Sequence, residues 1–451
     1  MGKLFGTDGV RGIAGADLTC ELAVQLGRAS AAVLTSHLSH RPRILIGRDT
    51  RISGDMLECA LAAGLCSVGA DVELLGIVPT PAVASLVRRY SADAGVVISA
   101  SHNPVEFNGI KIFSGDGYKL PDQIEQEIED RIFSGSEGVT LCTGEAVGRV
   151  TRRDGAVQDY ADELFRSIDA DLSGLRVAID CANGAAYETA KLLYPRLGAD
   201  CTFIGAEPDG CNINKGCGST HLDRLARFVV DGGYDCGVAF DGDADRCLAV
   251  DEKGDVLDGD KIMALLALDL KEKGKLTGDT AVATVMSNLG FLQYMERVGI
   301  RTVCTAVGDR YVLEEMRAGG YVIGGEQSGH IILLEHSTTG DGQLTAGMLL
   351  RLLAEKKRPM SELSGVYEMF PQVMVNIPAS AAQKAAYKED EYIAGFIESQ
   401  QQNLMGTGRV LVRVSGTEPV IRAMVEGKDR QAIQLSAERI AEMVRRRLGA
   451  D

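Results

Sequence analysis

RVAIDCANGAAYETAKLLYPRLGADCTFIG, residues 176–205, opens on a buried-strand run, crosses an apolar-periodic helix and ends in a second strand. The helix closes in RLGAD, a small-residue turn of the kind that glycine sets at a helix C-terminus. Strand, helix and strand at this spacing read as one βαβ unit of a mostly parallel sheet. The same events occur twice more, from RILIGRDTR (43–51) through SVGAD to DVELLG (71–76), and from TAVATVMSN (280–288) through RVGIR to RTVCTAVG (301–308). This is a weak internal repeat.

Each repeat continues into a further helix, a Gly, a short apolar run and a polar, Gly-rich loop. The three loops are GVVISASHNP (95–104), GVAFDGDADR (237–246) and YVIGGEQSGH (321–330). In open α/β sheets ligands sit beyond the carboxyl ends of the strands, so three such loops in equivalent places suggest domains facing one cleft. Near Phe370 the pattern changes to alternating strands, QVMVNIP, RVLVRVSG and IRAMVEG, with two helices and no βαβ period. The expected fold is α/β: three similar mixed-sheet α/β domains (1–152, 153–257 and 258–369) plus a smaller C-terminal α+β domain (370–451) around a central cleft.

At 451 residues the chain exceeds what one hydrophobic core supports, which agrees with several domains. A formal charge of −16 disfavours a nucleic-acid partner, and an anionic ligand must be met by local cations. The 11 cysteines form no CxxC pair or zinc spacing, and read as buried small residues or free thiols. An odd cysteine count with no secretion signal suggests a reducing compartment. No run approaches the roughly 18 apolar residues of a spanning helix, so no membrane partner is expected and the cytoplasm is the expected location.

The loops carry the chemistry. Ser99-Ala-Ser101-His102-Asn103-Pro104, after a buried strand, reads as a turn that leaves Ser101 exposed at a strand end. No G-x-S-x-G elbow and no Asp to orient His102 are present, so a hydrolase triad is not indicated. In DGDADR, Asp241, Asp243 and Asp245 would repel one another without a neutralising cation. All-oxygen ligands suit Mg2+ or Ca2+. An EF-hand fails, because Arg246 stands where the turn needs Gly and the flanks read as strands. A phosphorylated Ser101 would supply a further oxygen to such an ion. The third loop, with Gly325, Glu326, Gln327, Ser328 and His330, offers a carboxylate, an amide, a hydroxyl and an imidazole suited to a polyhydroxylated ring. The fourth, Arg413-Val-Ser415-Gly416-Thr417 with Arg422, makes a phosphate cradle that is not a Walker loop.

With these loops in order, the chain resembles the α-D-phosphohexomutase superfamily along essentially its whole length. FGTDGVRG (5–12), GRDTRISG (47–54), ISASHNP (98–104), GCNINKGCGSTH (210–221), TAVGDRYV (305–312) and GGEQSGHI (324–331) carry the resemblance. Gln327 is similar to the glucosamine branch, where a Met commonly follows the Glu in phosphomannomutase/phosphoglucomutase relatives.

The resemblance implies a four-domain, heart-shaped molecule with a central cleft. It implies an isomerase that interconverts glucosamine 6-phosphate and glucosamine 1-phosphate for amino-sugar nucleotide synthesis, with glucose or mannose phosphates as the alternative substrates. Ser101 would be the phosphoserine, and Asp241, Asp243 and Asp245 would hold one Mg2+ with it. Arg11, Lys111 and Arg246 match positions near the transferring phosphoryl group, and His102 and His330 join them as catalytic candidates. Gly325, Glu326, Gln327 and Ser328 would meet the sugar; Arg413, Ser415, Gly416, Thr417 and Arg422 would hold the non-reacting phosphate. Glucosamine 1,6-bisphosphate or a similar sugar bisphosphate would be the activator and intermediate. A phosphosugar is the implied partner, and a homodimer stays open. VEFNGIKIF (105–113) departs from the family pattern at Phe107, which is expected to alter loop packing more than chemistry.

Overall fold

A computed structural model describes all residues except 1–3, 7, 37, 136–138, 416–418 and 450–451. The first repeat runs from strand Arg43–Arg48 through helix Ser53–Ser67 to strand Asp71–Ile77. Helix Thr80–Arg89, strand Ala94–Ile98 and strand Phe107–Ser114 follow. Arg43–Arg48 pairs in parallel with Asp71–Ile77 on one side and Ala94–Ile98 on the other. Phe107–Ser114 then returns antiparallel to Ala94–Ile98.

The other two repeats copy this pairing. Strand Arg176–Asp180 lies between Asp200–Ile204 and Cys236–Phe240, and Cys247–Asp251 returns antiparallel. Strand Thr280–Thr284 lies between Arg301–Thr305 and Ile323–Gly325, and Ile331–Leu333 returns antiparallel. The sheets are therefore mixed, as the sequence leads one to expect. The parallel strands covered on both faces read as unbroken apolar runs; every residue of Ala94–Ile98 and of Cys236–Phe240 is buried. In each repeat the first helix ends on a left-handed glycine: Gly69 at φ 91°, Gly198 at φ 96° and Gly299 at φ 72°. A side chain there would carry the strain that glycine avoids.

This topology fixes the three polar loops. Each joins the third strand to its antiparallel return, so residues 99–106, 241–246 and 326–330 leave the carboxyl ends of equivalent strands.

The chain forms two compact units, residues 1–286 with 298–365, and residues 287–297 with 366–451. The second holds an antiparallel sheet with Val420–Gly427 between Gln372–Pro378 and Gly408–Val414. Among the described residues, three helices lie within 370–451, not the two expected: Ala381–Glu389, Glu391–Asn403 and Arg430–Leu448. The extra break is at Asp390, whose extended backbone and side-chain cap on the Tyr392 and Ile393 N–H groups start a new helix. Among the described residues, no helix is long and apolar enough to cross a membrane.

Candidate active site

Ser101 stands in the loop that leaves strand Ala94–Ile98, and its backbone is left-handed, at φ 53°. Such a conformation in a residue other than glycine persists only where the surroundings impose it. Arg51, fully buried, supplies much of that constraint. Its Nε pairs with Asp49 Oδ2 at 2.9 Å. Its Nη2 donates to the carbonyls of Ser101 at 3.0 Å and Asn103 at 2.8 Å. Its Nη1 donates to the carbonyls of Pro104 and Phe107. Asn214 Nδ2 donates to the Ser101 carbonyl from another direction, at 2.9 Å. Ser99 Oγ accepts the Ser101 N–H at 3.0 Å and donates to Asp49 at 2.6 Å.

The expectation of an exposed Ser101 does not hold; the residue is 1% exposed. The cause is the close approach of the metal loop. A Cβ on Gly242 would lie 2.5 Å from the Ser101 carbonyl oxygen, so only glycine lets the two loops touch. Ser101 Oγ donates to Asp241 Oδ2 at 2.5 Å.

Asp241, Asp243 and Asp245 are all buried, and one oxygen from each lies within 4.8 Å of the others. Left-handed Ala244, at φ 56°, curls the loop so that the carboxylates converge. Asp243 Oδ2 accepts from Thr80 Oγ1 at 2.6 Å and Lys111 Nζ at 2.8 Å. Asp243 Oδ1 and Asp245 Oδ1 are buried with no hydrogen-bond partner among the described residues. Two orphaned carboxylate oxygens beside a third carboxylate fit a hard divalent cation, because burying them unmatched is costly. Burial and the charges of Asp245 and Asp243 push the Asp241 carboxyl well above the usual range. Burial also opposes ionisation of Asp245, but Lys111 and His330 outweigh it and hold that carboxyl well below the usual range.

Basic groups surround this centre. Lys111, 1% exposed, meets Asp243, Asp8 at 3.1 Å and Asp245 at 3.5 Å. Burial works against its charge, but Asp243, Asp8 and Asp245 raise its pKa well above that of an ordinary lysine. Arg246 donates from its N–H to Asp241 Oδ1 at 3.2 Å and from Nη1 to His102 Nδ1 at 3.1 Å. Burial, with Arg246 and Arg11 alongside, lowers the His102 pKa to about 4, so the imidazole is a neutral acceptor. Arg11 pairs with Asp8. His330 lies 3.6 Å from Asp245 through Nδ1, and its Nε2 accepts the Gly340 N–H at 3.1 Å. A Cβ on Gly340 would lie 2.5 Å from the imidazole, so this glycine lets the ring seat.

The sugar loop is less enclosed. Gly325 is buried at the end of its strand, Glu326 is half-buried and accepts the Gly308 N–H at 3.1 Å, and Ser328 is exposed. Gln327 Nε2 donates to Asp258 Oδ2 at 3.1 Å, so its amide is tied to the cap of helix Gly259–Glu272. In the second unit Arg413 and Arg422 are directly opposed on paired strands, so both guanidinium groups leave one face. Ser415 accepts Lys384 Nζ on its carbonyl at 2.9 Å. Gly416 and Thr417 lie outside the described residues.

Sequence reasoning assigned no role to Asp8, Asp49, Arg51, Asn214 or Asp309, although each stands in a stretch that carried the family resemblance. A charged residue set among glycines or a strand end was the available signal. Thr80 and Lys119 gave none.

Four domain descriptions of one family match the chain, all headed phosphoglucomutase/phosphomannomutase. They are alpha/beta/alpha domain I at residues 2–138, domain II at 158–254, domain III at 258–370 and the C-terminal domain at 374–443. The phosphoglucosamine mutase of Acetivibrio thermocellus is 56% identical over 449 residues, which cover 100% of both chains. That of a Thermoanaerobacter species is 55% identical over 450 residues, 99% of this chain and 100% of that one. Among solved structures, a phosphoglucomutase/phosphomannomutase family protein from Burkholderia thailandensis aligns with a TM-score of 0.80 at 22% identity. That alignment covers 99% of this chain and 98% of the other.

Proposed function

Because the chain belongs to the phosphoglucosamine mutase family, within the phosphoglucomutase/phosphomannomutases, we propose that it interconverts glucosamine 6-phosphate and glucosamine 1-phosphate through a phosphorylated Ser101. The observation that supports this most is the 2.5 Å approach of Ser101 Oγ to Asp241, inside a triad with two orphaned carboxylate oxygens. A phosphoryl group on Ser101 would then lie beside a cation held by Asp241, Asp243 and Asp245. Magnesium, when bound there, neutralises the phosphoryl oxygens and polarises phosphorus for attack.

The phosphorus–Oγ bond of Ser101 breaks as a bond forms to O1 or O6 of the bound monophosphate. His330 takes the hydroxyl proton, since the Lys111 amine already holds its own. Arg11, Lys111 and Arg246 stabilise the spreading charge, and the neutral His102 fixes the Arg246 guanidinium. The sugar bisphosphate then turns end for end and returns its other phosphate to Ser101. Glu326, Ser328 and Gly325 meet sugar hydroxyls, and Gln327 shapes that loop from Asp258. Arg413, Ser415, Gly416, Thr417 and Arg422 hold whichever phosphate is not reacting. A sugar 1,6-bisphosphate activates the enzyme, which works in the cytoplasm on a small-molecule partner.

The test is intact-mass spectrometry after incubation with glucose 1,6-bisphosphate and Mg2+. The wild-type chain gains one phosphoryl group that maps to Ser101, and Ser101→Ala gains none. Phosphate on another residue, or an unchanged wild-type mass, would overturn the phosphoserine reading.

A further inference from the structure

Six side chains form a closed ring of alternating bases and acids. Lys111 meets Asp8 at 3.1 Å, and the other oxygen of Asp8 meets Lys119 at 2.5 Å. Lys119 pairs in turn with Asp309. Asp309 lies 3.6 Å from His330 Nε2, His330 Nδ1 lies 3.6 Å from Asp245, and Asp245 lies 3.5 Å from Lys111. Around the ring Lys119 stands opposite Asp245, between Asp8 and Asp309. We propose that Lys119 is a positioning residue. Its ammonium sets Asp309 against His330 and Asp8 against Lys111, and so fixes the His330 imidazole and the Lys111 ammonium relative to each other.

The backbone on both sides of Lys119 is tethered independently of its ammonium. Lys119 bridges to Phe113 in the strand that carries Lys111, and Ser114 N–H donates to the Tyr118 carbonyl at 2.8 Å. Arg317, on helix Asp309–Gly319, stacks over Tyr118 at 4.2 Å, and Arg310 of that helix pairs with Glu125 at 2.8 Å. Removing the ammonium therefore leaves the segment docked while two carboxylates lose their shared counter-ion. Like charges then push Asp309 and Asp8 apart, and each drags its catalytic partner. Displacement of about 1 Å at a reacting group lowers rate by roughly 100-fold.

This inference rests on the mutase reading, and the experiment separates the two. Steady-state conversion of glucosamine 6-phosphate is measured for the wild type, Lys119→Met, Asp309→Asn and the double variant, below the melting transition of each. Wild-type protein without turnover overturns the mutase reading and this inference together. With an active wild type, Lys119→Met is expected to lose about 10- to 100-fold in kcat with KM within about threefold, because groups are misplaced and not removed. The double variant should be no slower than the slower single variant, since both changes break the shared Lys119–Asp309 link. Unchanged kcat with a lowered melting temperature would reduce Lys119 to a stabilising role and overturn the proposal; so would losses that multiply in the double variant. A Lys119→Met chain that does not fold shifts the test to Asp309→Asn, where unchanged kcat overturns it equally.

Discussion

The loops at 99–106 and 326–330 leave equivalent strands of equivalent repeats, yet they are built differently. The first is buried, left-handed at Ser101, clamped by the whole guanidinium of Arg51 and by Asn214, and in contact with Gly242. The second is half open, with Glu326 meeting one backbone N–H and Gln327 drawn aside to Asp258. A serine proposed to carry the phosphoryl group must be held to a fraction of an ångström, and five hydrogen bonds from the Arg51 side chain brace its loop. A loop proposed to meet a sugar in two orientations would gain from fewer fixed contacts. On the proposed function, the same topology serves rigid chemistry in one repeat and adaptable recognition in another.

If the comparison holds, changes in the rigid loop should dominate. Ser101→Ala is expected to abolish turnover with an unchanged circular dichroism spectrum; retained turnover would break the account. Chelation by EDTA should remove activity, and added Mg2+ should restore it, since the triad's orphaned oxygens beside a phosphorylated Ser101 would need a cation. Arg51→Met leaves Asp49 as an uncompensated buried charge, which costs about 3–5 kcal/mol. Urea denaturation should register that loss, and a loss under about 1 kcal/mol would mean that Arg51 is dispensable. Arg422→Ala should raise KM by a factor equivalent to roughly 1.5–3 kcal/mol, and an unchanged KM would remove Arg422 from the cradle. The smallest effect belongs to the open loop: Gln327→Met should leave the melting temperature within a few degrees and shift the kcat/KM ratio between glucosamine and glucose phosphates. A stability loss as large as that of Arg51→Met would erase the contrast between the loops.

The fold was legible because its signals are local and repeated. Apolar runs, a helix period and Gly69, Gly198 and Gly299 recur in one order, and the three mixed sheets follow them. The metal triad was legible because three aspartates crowd into five residues, where charge repulsion itself asks for a cation. Ser101 was found, but not its burial, because the contact that covers it comes from Gly242, 141 residues later. Asn214 and Lys119 are illegible for the same reason: one reaches the Ser101 carbonyl and the other Asp8 and Asp309, all distant in the chain. The break at Asp390 was missed because the helical pattern runs on either side of it.

The most direct measurement is a 31P NMR time course with enzyme, Mg2+ and a trace of sugar bisphosphate, run in parallel on glucosamine, glucose and mannose 6-phosphates. The account predicts that the 1-phosphate signal grows fastest from glucosamine 6-phosphate and disappears with Ser101→Ala. Faster conversion of glucose or mannose phosphate would contradict the substrate assignment, and release of inorganic phosphate without a 1-phosphate would contradict the mutase mechanism.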